Sequence, residues 1–97
     1  MHVISRKKLK EAATRHGDLE GPLDAWFRIA KRAWWKNLID VRKTFSNADD
    51  VGKWTVFNIK GNQYRLIVEM NYRSGRIYIR HVLTHAEYDR EIGRAHV

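Results

Sequence analysis

An α+β fold, with two N-terminal helices on one face of a small antiparallel sheet and a short C-terminal helix, is predicted by three features of this sequence. Residues 54–84 hold three runs whose side chains alternate, as in half-buried strands. Two stripes of apolar residues spaced three and four apart precede them, as on helices packed against a core. The 97 residues suit a single domain, 1–97.

The chain opens on His2, Val3 and Ile4, a strand too brief to assert alone. Ser5 is placed to cap the helix that follows, its hydroxyl accepting an orphan backbone N–H. Over 6–16, Leu9, Ala12, Ala13 and His16 share one helix face, and Gly17 suits the stop. A second helix begins near Gly21-Pro22, since proline is tolerated in a first turn. Its stripe of Leu23, Trp26, Phe27, Ala30, Ala33 and Trp34 is expected to cover the sheet, so these aromatic residues read as core. Leu38, Val41 and Phe45 indicate a further helical turn, and residues 46–50 read as loop.

In the first long strand, 54–60, Thr55, Phe57 and Ile59 oppose Trp54, Val56, Asn58 and Lys60. In 63–72, Tyr64, Leu66, Val68, Met70 and Tyr72 oppose Gln63, Arg65, Ile67, Glu69 and Asn71. In 76–84, Ile77, Ile79 and Leu83 form the apolar set against Arg76, Tyr78, Arg80 and Val82, which makes His81 a hydrogen-bonded core histidine. Gly61-Asn62 fits a two-residue hairpin with positive φ, and Arg73-Ser74-Gly75 a slightly longer turn. Beyond Thr84 a short helix carries His85 and Tyr88, and residues 89–97 extend it briefly before fraying.

The charge balance narrows the partners. Nineteen Lys and Arg against eleven Asp and Glu leave a net charge of +8, which favours nucleic acid, a ribosome, an anionic membrane surface or an acidic protein. The absence of cysteine excludes disulfides and thiolate metal sites. No apolar run approaches the ~18 residues of a membrane span, and the N-terminus lacks the apolar core of a signal peptide. A cytoplasmic protein is expected. His81 and His85 do not share a helix face, and Asp49 and Asp50 lack a paired histidine, so neither a metal site nor a cofactor is expected.

The candidate site is the polar face of the sheet. Asn58, Lys60, Arg65 and Arg80 lie on it, with Arg76 at the start of the last strand, and all five are expected to contact RNA from an exposed surface. His85 and Tyr88 stand where that strand ends. Arginine binds phosphate oxygens bidentately, histidine moves protons near neutral pH, and tyrosine stacks on an unpaired base.

Two motifs carry a resemblance. The first runs from Asn58 through Gly61, Asn62 and Arg65 to Leu66, of the form N-[IV]-x-G-N-x-x-R-[LV]; the second is T-H-x-E-Y-D, Thr84 to Asp89. In this order, with the helices before them, they resemble HigB toxins of the RelE-like superfamily of bacterial type II toxin–antitoxin ribonucleases, over nearly the whole chain. The resemblance implies a RelE-like microbial RNase fold and ribosome-dependent endoribonuclease cleavage of translated mRNA. It implies a metal-independent reaction in which the 2′-OH attacks the adjacent phosphate. It also implies a tight complex with a cognate HigA-like, helix-turn-helix antitoxin. The groups that such cleavage needs are offered by His85, Arg65, Arg80, Tyr88 and Lys60, the expected catalytic set. Some relatives use lysine-rich sites, for which this chain offers chiefly Lys60; others use a histidine near the C-terminus, matched by His85. The division between general acid and general base stays open. The same basic face would equally serve a non-catalytic RNA- or ribosome-binding module, or a domain that binds an acidic protein. His85 discriminates, since a binding module has no need of it.

Overall fold

The computed structural model describes residues 1–92. The three alternating runs form the centre of the sheet as β3 (Trp54–Ile59), β4 (Tyr64–Asn71) and β5 (Arg76–Thr84), paired antiparallel in that sequence. Two short strands complete it at the edges, β1 (His2–Ile4) and β2 (Asp49–Val51), in the order β1-β5-β4-β3-β2. The sheet is mixed rather than purely antiparallel, because β1 runs parallel to β5. A parallel neighbour needs a long crossover, and nearly the whole chain lies between these two strands. β2 was expected as loop. Two aspartates suit a strand interior poorly, but an exposed edge strand requires only backbone pairing, here with β3.

The helices are α1 (Arg6–Arg15), α2 (Glu20–Arg32), α3 (Leu38–Thr44) and α4 (His85–Glu91), with a 3-10 turn at Gly17–Leu19. Ser5 precedes α1 but does not cap it: its φ is 72° and its hydroxyl makes no capping bond. Leu9 and Ala12 of α1, with Leu23, Trp26 and Ala30 of α2, close over Phe57, Leu66, Val68, Ile77 and Ile79. Trp26 meets Phe57 edge to face at 5.4 Å. The expected stripe on α2 breaks at its end. The helix stops at Arg32 and Ala33 is extended, so side chains alternate there. Trp34 is 88 % exposed, and its neighbour Trp35 takes the buried place, stacked on Phe57. The last helix ends in the described residues at Glu91; the expected fraying of 93–97 lies outside them.

Two details of the sheet decide which side chains face away from the helices. The β3–β4 connection is four residues long, not two: Ile59 pairs with Tyr64, and Gln63 N–H donates to the Lys60 carbonyl at 3.3 Å. Positive φ falls on Lys60 (52°) and Gly61 (64°) rather than on Asn62. The second detail is a bulge between β4 and β5. Ile67 pairs with His81 but Val68 pairs with Ile79, leaving Arg80 as the extra residue. One inserted residue exchanges the faces beyond it. Val82 therefore enters the core, and His81, expected there, is exposed on the opposite face beside Leu83.

Candidate active site

The face of the sheet turned away from α1 and α2 carries Asn58, Arg65, Glu69 and His81, with α4 closing one corner. Arg65 lies opposite Asn58 on β3 and Leu83 on β5, two residues before His85. Arg65 is buried, only 8 % exposed, not solvated as the alternation suggested. Its cover comes from Tyr88, whose ring centre lies 5.7 Å from the guanidinium. The loop before β4 fixes it. Nη1 donates to the carbonyls of Asn62 (3.1 Å) and Tyr64 (3.2 Å), and Nη2 to Asn62 Oδ1 (3.0 Å). All these acceptors are neutral, and no carboxylate among the described residues forms an ion pair with the guanidinium.

α4 sets the remaining groups. Thr84 caps it: Glu87 N–H donates to Thr84 Oγ1 at 3.1 Å, and Thr84 N–H donates back to Glu87 Oε1 at 2.9 Å. The backbone N–H of Thr84 is the main reason the Glu87 carboxyl sits below the usual carboxylate range. His85 follows at the first helical position, its N–H donating to the Gln63 carbonyl at 2.9 Å. Residues three and four apart share a helix face, so His85, Tyr88 and Asp89 look the same way. His85 Nδ1 stands 3.0 Å from Asp89 Oδ2, and its side chain is 44 % exposed. The Asp89 carboxylate thus engages Nδ1 and not Nε2. Burial, opposed by Arg65, pushes the Tyr88 hydroxyl above the ordinary phenol value, so it stays protonated near neutrality.

Not every predicted residue joins this corner. Lys60 donates to Asp18 Oδ2 at 2.7 Å, and Asp18 also accepts from the hydroxyl of the core residue Tyr64 at 3.1 Å. That pair draws the ammonium toward the helix side, and the Lys60 hydrogen bond holds the Asp18 carboxyl low. Arg80, the bulge residue, donates from Nε to Glu69 Oε1 at 3.0 Å, so its charge is largely matched on the open face. Arg76 begins β5 and His85 follows its end, about 30 Å apart at ~3.3 Å per residue. Asn58 is half-buried beside Arg65. Two residues enter that composition alone did not suggest: Asn62, three before Arg65, and Asp89, four after His85. Their spacings were the available signals. Among the described residues no three His, Cys, Asp or Glu side chains converge as a metal site.

Comparison with known proteins gives a consistent result. The family described as HigB_toxin, RelE-like toxic component of a toxin-antitoxin system, matches residues 19–91. The chain is similar to the mRNA interferase HigB of Escherichia coli O6:H1, with 30 % identity across 93 % of this chain and 90 % of the relative. It is similar also to the mRNA interferase HigB of Shigella flexneri, at 33 % identity across 92 % of this chain and 88 % of the relative.

Proposed function

The chain belongs to the HigB family of RelE-like toxins, the toxic components of toxin–antitoxin systems, and from that premise we propose that it cleaves translated mRNA on the ribosome without a metal ion. The bond made is between the 2′-oxygen and phosphorus; the bond broken is between phosphorus and the 5′-oxygen. The 2′-OH proton must leave, and a proton must reach the departing 5′-oxygen. His85, oriented by Asp89, is the proton-transfer group, and its Nε2 is the atom that acts. Arg65 binds the phosphate and offsets the charge that develops on it. Tyr88 holds Arg65 from above and offers a protonated hydroxyl at the same corner.

The observation that supports this most is that Arg65, a fixed cation with no carboxylate partner among the described residues, meets the helix that carries the His85–Asp89 pair through Tyr88. General acid–base help from one histidine contributes about 10²–10⁴-fold. A site this sparse leaves in-line positioning of the RNA to the ribosome, a contribution of several kcal/mol. The net charge of +8 suits both rRNA and an acidic antitoxin surface, which we take to belong to a HigA-like, helix-turn-helix protein. No helix among the described residues is long and apolar enough to cross a membrane, in keeping with action in the cytoplasm.

The test is cleavage of a translated mRNA by the purified protein, with and without ribosomes. Products ending in 2′,3′-cyclic phosphate and 5′-hydroxyl, formed only with ribosomes, are expected. Ribosome binding without cleavage would make the protein a non-catalytic module acting through the same face.

A further inference from the structure

We infer that Trp54 and His81 form a stacking platform for an unpaired nucleobase, on the open face next to the Arg65 corner; this rests on that face being the RNA site. The two residues belong to strands that are not neighbours. Trp54 is on β3, His81 on β5, and β4 runs between them. At ~4.8 Å per strand spacing the two backbones lie about 10 Å apart. Yet the rings meet edge to face, centres 5.9 Å apart and planes at 75°. They therefore reach toward each other diagonally across β4, His81 from opposite Ile67 and Trp54 from two residues before Val56, which also pairs with Ile67.

What lies beneath explains half of this arrangement. Ile67 is fully buried and Val56 nearly so, although both point to the face that carries no helix layer. His81 stands opposite Ile67, and Trp54 is two residues from Val56 on the same face, which places both rings at this patch. Shielding Ile67 does not by itself call for aromatic rings, since an aliphatic pair of similar size would do it. The outer surface of the cover is what an RNA would meet: His81 is exposed and Trp54 half-exposed. Lys53 Nζ lies 4.7 Å from the Trp54 ring centre, adding a cation at its border. Two carboxylates share this face and both are paired, Glu69 with Arg80 and Asp49, opposite Val56, with Arg42.

Position completes the case. Arg65 and Ile67 are two residues apart on β4, about 7 Å along the strand. An RNA strand with one phosphate at Arg65 thus brings an adjoining base over the rings. Stacking on aromatic side chains tolerates every base, which gives grip and register to a cleaving site.

The experiment uses short single-stranded 2′-O-methyl oligoribonucleotides, which cannot be cleaved, with a base or an abasic residue at each position in turn. For the intact protein, removing the base at one position should weaken binding by about 5- to 150-fold. Trp54→Leu and His81→Leu keep an apolar cover over Ile67 and should bind the two oligonucleotides alike, while Trp54→Phe should keep the preference. Thermal melting identifies a variant that has lost its fold; should Trp54→Leu do so, the exposed His81→Leu decides alone. The platform is overturned if the intact protein is indifferent to an abasic residue at every position. It is also overturned if folded leucine variants keep the full preference. Should the base preference be found while translated mRNA stays uncut, the platform stands and the ribonuclease proposal fails; cleavage without any base preference is the reverse.

Discussion

The Arg65 guanidinium lies 5.7 Å from the centre of the Tyr88 ring, a contact that ties β4 to the helix leaving β5. Arg65 is buried, fixed by Asn62 and faced by Tyr88, and among the described residues its partners are neutral. Its hydrogen bonds hold the loop before β4, and a guanidinium with no carboxylate beside it among the described residues makes sense where an anion arrives as substrate.

Arg65→Ala should therefore lose both fold stability and cleavage. Leaving the Asn62 and Tyr64 oxygens without their donor costs about 1–3 kcal/mol, and in a domain of this size each kcal/mol lowers Tm by about 4–8 °C. Arg65→Lys keeps the charge but not the planar fork, so it should remain less active than the parent. Melting curves and cleavage rates for both variants check this. An Ala variant as stable and as active as the parent would remove Arg65 from the site.

Thr84→Val removes the hydroxyl that caps α4. The loss should be about 1 kcal/mol, small for the fold. It should be larger for activity, because His85 and Tyr88 depend on the first turns of that helix. Hydrogen exchange of the α4 amides, read beside the cleavage rate, tests the link. Faster exchange at Ile92 N–H, which donates to the Tyr88 carbonyl, is the expected sign; unaltered exchange with lost activity would contradict it.

The elements legible in the sequence were those with repeated spacing: Leu9 and Ala12 on α1, Leu23 and Trp26 on α2, and the alternation through Tyr64, Leu66 and Val68. What was not legible came from single residues or distant contacts. The bulge at Arg80 is one residue long, invisible to a period of two, yet it exchanged Val82 with His81. The end of α2 at Arg32 exchanged Trp35 for Trp34. β2 carries two aspartates and is recognisable only through its partner β3. Of the residues expected at the candidate site, Asn58, Arg65, His85 and Tyr88 lie at one corner. Lys60 was not separable from them, because its partner Asp18 is far away in the chain. The burial of Arg65 depends on Tyr88, again a contact that alternation does not encode.

Acid should destabilise the fold through two carboxylates. Asp18 is held below the ordinary carboxylate range chiefly by the hydrogen bond from Lys60, and Glu87 by the backbone N–H of Thr84. Their stabilising effect is complete above the ordinary carboxylate pKa. It is lost as pH falls through that value toward the lowered ones, because the unfolded chain then binds more protons. Asp18→Asn and Glu87→Gln should each lower Tm near neutrality and flatten its fall between about pH 5 and pH 3. Tm recorded against pH for the three proteins decides it. Parallel curves would mean that neither carboxylate contributes to the acid limb.

The proton-transfer assignment makes the sharpest demand. His85 projects from the first turn of α4 with its side chain 44 % exposed, and the bond that anchors the residue, to Gln63, uses its backbone N–H. His85→Ala should thus melt close to the parent and still bind ribosomes. It should nonetheless cleave slower by about 10²-fold or more, the usual contribution of a general acid or base. Asp89→Asn leaves the imidazole in place but replaces the carboxylate at Nδ1 with a neutral amide. Its loss should be smaller, about 10-fold or more, because only orientation and tautomer are disturbed. The two defects should not add: once His85 is absent, removing the Asp89 carboxylate has little left to change. Single-turnover cleavage on ribosomes by the two single variants and the double variant measures this directly. Additive losses would mean that Asp89 acts apart from His85. A folded His85→Ala protein cleaving at the parental rate would take proton transfer away from His85 and leave Tyr88, whose hydroxyl stays protonated beside Arg65, as the group to test next.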